Sequence, residues 1–143
     1  MADGIWFTRP TLDDIQKRGA RTMVDHLGIE ITEVGDDFLR GTMPADHRTV
    51  QPLRIVHGGA NVALAETLAS IAANYCVDPS KEYCVGLEIN ANHIRSVAEG
   101  GRVTGTARPV HLGGRTQIWE IRIEHEGKLA CLSRMTAAVL QRK

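Results

Sequence analysis

The run at residues 61–75, NVALAETLASIAANY, constrains this chain more than any other feature: it holds neither glycine nor proline and is built mainly from alanine and leucine. Such a run has high helix propensity. At 100° per residue, Val62, Leu64, Leu68, Ile71 and the alanines cover most of the helix circumference, and a helix apolar nearly all round belongs inside a protein. The rest, Glu66, Thr67, Ser70 and Asn74, fall at about 140°, 240°, 180° and 220° from Asn61, a single polar stripe roughly 100° wide. A buried helix turns such a stripe toward an internal cleft or a second subunit. Glu66 is its odd member, because no Lys or Arg lies three or four residues away to pair with it. It reads either as a solvated charge on the helix's only wet face or as a functional acid.

The flanks suggest what this helix packs against. Upstream, Thr11 followed by Leu12-Asp13-Asp14-Ile15 starts a short helix with acids in its first turn, and 21–27 reads as a second helical piece. Residues 29–43 form a hairpin turning at Gly35-Asp36-Asp37, and 45–56, with Pro52, is a long loop. Asp78-Pro79-Ser80-Lys81 closes the main helix. Everything beyond is strand-like: 83–96, 101–110, 116–125 and 128–140, with turns at Leu112-Gly113-Gly114-Arg115 and Glu126-Gly127. Trp119, Ile121 and Ile123 alternate with Glu120, Arg122 and Glu124, the pattern of a strand with one wet face. The expected fold class is α+β: one main helix against an antiparallel sheet of five or six strands, in a single domain over 1–143.

Charge and composition exclude several functions. Lys plus Arg and Asp plus Glu each number 17, and the longest basic cluster is Gln141-Arg142-Lys143, so neither nucleic acid nor a membrane surface is expected as a partner. The amino terminus lacks a secretory layout and no apolar stretch is long enough to span a bilayer, which makes the cytoplasm the expected location. Cys76, Cys84 and Cys131 are an odd number without close pairing, as suits buried reduced thiols. The six histidines show no short metal-ligand spacing with one another or with the cysteines, so no metal is expected.

The chemistry concentrates at the start of the helix. The first backbone N–H groups of a helix lack internal partners and lie at the positive end of its dipole, so at His57-Gly58-Gly59 they can polarise a carbonyl oxygen. Glu66, further along, supplies a carboxylate able to act as base or nucleophile. Eight residues of helix separate Gly58 from Glu66 by about 12 Å, of which a Glu side chain recovers about 4 Å. One chain therefore cannot bring both to one carbonyl carbon. If both act, two antiparallel helices must exchange them across a two-fold axis, which predicts a dimer with two equivalent interface sites.

Gln51-Pro52, His57-Gly58-Gly59-Ala60, Ala65-Glu66-Thr67, the run from Val85 through Gly86-Leu87-Glu88-Ile89-Asn90-Ala91-Asn92 to His93, and His111-Leu112-Gly113-Gly114-Arg115 together resemble the hotdog-fold acyl-CoA thioesterases. The likeness covers about residues 1–140. It is strongest to the group acting in quinone and enterobactin biosynthesis, on 1,4-dihydroxy-2-naphthoyl-CoA and in proofreading, and it extends to the glutamate-using 4-hydroxybenzoyl-CoA thioesterase. The resemblance implies a long central helix wrapped by a curved antiparallel sheet, in dimers that pair into tetramers. It implies that Glu66 attacks the thioester or activates water, that the Gly58 amide polarises the carbonyl, that Gln51 and His57 place substrate and water, and that Ser70 lies beside the attacked carbon. Three of these have a plainer alternative: His57 as the residue that fixes the Gly-Gly turn, Gln51 as a loop anchor, Ser70 as a space filler.

Further contacts are expected from Thr67, which adjoins Glu66 in the stripe, and from cations facing the phosphates of coenzyme A. His93 and Arg95 follow one strand; His111, Gly113, Gly114 and Arg115 form a turn with free N–H groups and a guanidinium. The expected substrate is an acyl-CoA, by resemblance an aromatic one, with carrier-protein thioesters beside it. Coenzyme A enters as part of the substrate and no cofactor is expected. The rivals are a hotdog dehydratase or hydratase and a non-catalytic acyl-CoA-binding protein.

Overall fold

Residues 116–125 form the strand that their alternation predicts, with Gln117, Trp119, Ile121 and Ile123 buried and Arg122 exposed on the opposite face. The computed structural model describes residues 4–143. In chain order it contains α1 (Leu12–Gly19), α2 (Met23–His26), β1 (Glu30–Val34), β2 (Leu39–Pro44), α3 (Gly58–Tyr75), β3 (Glu82–His93), β4 (Arg102–Leu112), β5 (Thr116–His125) and β6 (Lys128–Gln141). The strands make one antiparallel sheet in the order β1-β2-β4-β5-β6-β3. This is the expected α+β hotdog arrangement, with α3 lying against β2, β3, β4, β5 and β6.

The face that α3 presents to the sheet is small and apolar. Leu64, Ala65, Leu68, Ala69, Ala72 and Ala73 are fully buried, against a sheet interior that includes Val103, Trp119, Ile121, Ile123 and Met135. Removing that apolar area from water is the main force holding helix to sheet. Two glycines set how closely the layers approach. A Cβ on Gly105 would lie 2.7 Å from Leu68 and 3.4 Å from Leu64, and one on Gly41 would lie 3.0 Å from Leu68. The two leucines are seated in hollows that any side chain there would fill.

The helix begins at Gly58, three residues before the expected start, because propensity alone counts glycine as costly by about 1 kcal/mol in a helix interior. A cap supports the first turn instead: His57 is the N-cap, and its Nδ1 accepts a hydrogen bond from the Gly59 N–H at 2.8 Å. Other boundaries also moved for local reasons. The second helical piece is only α2, since Arg21 adopts the left-handed conformation (φ 62°) and stays outside it. β3 stops at His93, where the N–H groups of Ile94 and Arg95 both turn to the Ala130 carbonyl. β4 runs on to Leu112 through a bulge between Pro109 and His111.

In the 45–56 loop, side-chain and backbone hydrogen bonds from Arg48 hold the Asp46 carboxyl down at about 2. Further on, the bridges Val50–Val56 and Ile55–Ala98 fold the Gln51 excursion back on itself and onto 97–99. The three cysteines are free thiols. Burial raises Cys76 to about 12 and Cys84 to about 11, so both stay protonated and inert near neutral pH. No helix among the described residues is long and apolar enough to cross a membrane.

Candidate functional site

The polar stripe of α3 faces β3, the edge strand. Asn74 fixes this orientation: its Nδ2 donates to the Cys84 carbonyl at 3.1 Å and its Oδ1 accepts from the Cys84 N–H at 2.8 Å. One turn earlier, the Ser70 hydroxyl meets the Met135 sulfur at 3.6 Å. One turn earlier again, Glu66 reaches Gly86, where an added Cβ would lie 2.8 Å from its Oε1 and 3.8 Å from the Met135 sulfur. Glu66, Ser70, Gly86 and Met135 thus form one cluster. Glu66 is half-buried, so the carboxylate is neither sealed in the core nor on an open solvent face.

A bulge between Gly86 and Glu88 shifts the β3–β6 register beside this carboxylate. Bulges of this kind re-aim side chains and occur next to active sites. Gly86 is not among the residues that the sequence assigns to the site. A glycine inside an otherwise strand-like run marks a bulge or a close approach, and that signal was available in the sequence.

The second cluster lies at the start of α3. His57 donates its backbone N–H to Thr49 O at 2.8 Å, its carbonyl accepts from Ala60 (2.9 Å) and Asn61 (3.2 Å), and its ring accepts from Gly59 (2.8 Å). The Gly58 N–H makes no hydrogen bond with any described residue. It is the one amide of this turn left to receive an outside oxygen. The ring of His93, the last residue of β3, lies beside this glycine: a Cβ on Gly58 would lie 2.8 Å from His93 Nε2.

Gln51 uses its side-chain oxygen to accept from the Leu53 N–H, and its backbone N–H donates to Ile55 O at 2.9 Å. Both His57 and Gln51 therefore make the structural contacts that were their plainer alternatives. Neither is used up by them, since the Gln51 amide NH2 and the His57 Nε2 have no partner among the described residues. Thr67 is half-buried and makes no side-chain hydrogen bond among the described residues.

The phosphate-binding candidates do not assemble within one protomer. His93 ends β3 where it pairs with Cys131, while Thr116 aligns through Ala138 with Val85 near the strand's other end. Arg95 donates to the Leu129 carbonyl at 2.9 Å. In the β4–β5 turn the Gly113 N–H is not free as expected, because it donates to Thr116 O at 2.9 Å, and the His111 ring packs over Gly113. Gly114 and Arg115 stay exposed, with open space around Gly114.

Comparison with known proteins gives one direction. The model of the thioesterase superfamily matches residues 53–132. The 1,4-dihydroxy-2-naphthoyl-CoA hydrolase of Escherichia coli is 47% identical over 95% of this chain and 99% of its own length. The proofreading thioesterase EntH of Cronobacter turicensis is 46% identical over 95% of this chain and 98% of its own. A crystal structure of a glutamine-to-alanine mutant of the Pseudomonas aeruginosa thioesterase PA1618 superposes with a TM-score of 0.95 at 44% identity, covering 97% of this chain and all of that one.

Proposed function

The chain belongs to the thioesterase superfamily and is a thioester hydrolase, and we propose that it cleaves an aromatic acyl-CoA to the free acid and coenzyme A at a site shared between two protomers. The observation that carries this reading is the separation of its two reactive groups. Gly58, with its free amide, and Glu66 lie eight residues apart on one helix, about 12 Å along its axis, of which the Glu66 side chain recovers about 4 Å, so the two cannot serve one carbonyl. Two copies placed antiparallel bring Gly58 of one to Glu66 of the other. The unpaired edge of β3, with Val85 and Leu87 exposed beside Glu66, is the natural seam for that pairing.

In the proposed reaction the thioester oxygen accepts from Gly58 N–H, at the positive end of α3, where developing negative charge is stabilised. Either Glu66 adds to the carbonyl carbon and the thiolate leaves, after which water cleaves the acyl–Glu66 anhydride to free acid and carboxylate, or Glu66 removes a proton from the water that adds, and the thiolate leaves with that proton. Both routes need the same carboxylate in the same place. Ser70, one turn on, adjoins the attacking group, and the Gln51 amide and His57 orient substrate and water. Arg115 and the open Gly114, without the engaged Gly113 N–H, are read as phosphate contacts on the surface. The aromatic preference rests on the naphthoyl-CoA relative, and carrier-protein thioesters stay beside it as a second substrate class. Tetramer formation and a cytoplasmic location belong to the same reading.

Hydrolysis of benzoyl-CoA and hexanoyl-CoA by the wild type and Glu66→Ala tests it. The expected outcome is faster turnover of the benzoyl ester and a loss in the variant of roughly 10²–10⁴-fold, the range for a removed acid–base group. Unchanged turnover in Glu66→Ala overturns the assignment. Transfer of labelled solvent oxygen into Glu66 in a single turnover separates nucleophile from base.

A further inference from the structure

The hydrogen bonds at the start of α3 leave one question about the thioester oxygen. An oxygen developing negative charge is held best by more than one donor, and the neighbouring amides are engaged: Gly59 with the His57 ring, Ala60 and Asn61 with the His57 carbonyl. Only Gly58 N–H remains in that turn. Beside the same glycine lies His93, whose Nε2 would lie 2.8 Å, Cε1 3.1 Å and Cδ2 3.4 Å from a Cβ on Gly58. The ring thus lies against the glycine whose amide faces the substrate. Among the described residues it makes no hydrogen bond, so a ring N–H is available to an outside oxygen.

Its backbone is held firmly. His93 pairs with Cys131 of β6, and the next two N–H groups both donate to Ala130 O, at 2.7 and 3.1 Å. An exposed imidazole on a fixed strand end, beside the glycine whose amide is free among the described residues, is arranged for a small oxygen near that amide. Arg95 has turned away to the Leu129 carbonyl, so the two do not form a joint phosphate clamp.

We infer that His93 is a further catalytic residue, donating its ring N–H to the thioester carbonyl oxygen alongside the Gly58 amide, and not a contact for the coenzyme A phosphates. This rests on the hydrolase reading above and on Gly58 as the amide that receives the oxygen. No bond to His93 forms or breaks. Its hydrogen bond shortens as charge grows on the oxygen and relaxes when the carbon–sulfur bond cleaves.

The test compares two substrates that share an acyl group, benzoyl-CoA and the benzoyl thioester of N-acetylcysteamine, which has no phosphates. Wild type, His93→Ala, His93→Leu and His93→Gln are assayed with each. Expected are falls in kcat of roughly 10²-fold or more for Ala and Leu, equal for both esters. Gln keeps an N–H donor and should recover most of the loss. A loss confined to the coenzyme A ester and seen in KM marks a phosphate contact and overturns the inference. Recovery by Leu as good as by Gln marks simple packing on Gly58 and overturns it too, as does full activity in His93→Ala. No turnover in the wild type, or full turnover in Glu66→Ala, removes the hydrolase reading and this inference with it.

Discussion

The two edges of the sheet are built to opposite specifications. β1 has five residues, carries a bulge between Ile31 and Glu33, and packs under α1. Around it run surface ion pairs: Glu33 with Arg40, Arg9 with Asp36 at 2.7 Å, and Asp37 with Arg108 at 2.8 Å. Shortness, a bulge and charge are the devices by which proteins discourage a further strand from adding. β3 has twelve residues and exposes 40% of Val85 and 61% of Leu87, and Ile94 just past its end is 49% exposed. It also carries Gly86 against the carboxylate of Glu66. One edge is closed and chemically silent. The other is open, apolar and adjacent to the reactive acid, and an edge like that persists in a working protein when something covers it.

The contrast breaks most visibly through the open edge. A lysine at Leu87 places a charge where a second strand would pair, so Leu87→Lys should halve the particle mass in sedimentation and lower turnover by at least about ten-fold. Thr32→Lys puts the same charge on the closed edge and should leave both unchanged. Equal effects from the two variants would abolish the distinction between the edges.

A smaller effect is expected inside the open edge. The methyl group of Gly86→Ala would press on Glu66 Oε1, so the carboxylate must shift; kcat should drop about ten-fold with little change in KM, since misplacement near 1 Å can cost up to about 100-fold. The smallest effect concerns stability. His57→Ala removes the cap of α3 and should cost about 1 kcal/mol, read as a fall of about 4 °C in the unfolding midpoint. His57→Ser keeps a capping oxygen and should restore the midpoint, and only the activity lost in both variants then reports a substrate contact.

The sequence carried α3, its single polar stripe and the alternating β5 because each is encoded in a local period. The start of α3 was less legible, since a histidine ring capping Gly59 depends on a side-chain rotamer that no spacing reveals. Strand order lay further off. That β3 pairs with the last strand, and so becomes an edge, follows from register over dozens of intervening residues. The same limit hid Gly86 beside Glu66 and His93 beside Gly58, contacts between helix and strand across twenty to thirty-five positions of chain. Charge alone groups His93 and Arg95 with the 111–115 turn, and the sheet puts that turn toward the opposite end of β3 from His93.

Leu64 and Leu68 nest in the hollows at Gly41 and Gly105 on β2 and β4, away from the reactive acid. That engagement indexes α3 along its axis as a pin indexes a shaft. Loops and the open edge can then diversify to admit new acyl groups while the position of the carboxylate is inherited unchanged. A bulkier residue at either glycine would detune chemistry from strands remote from β3, with no substrate contact altered.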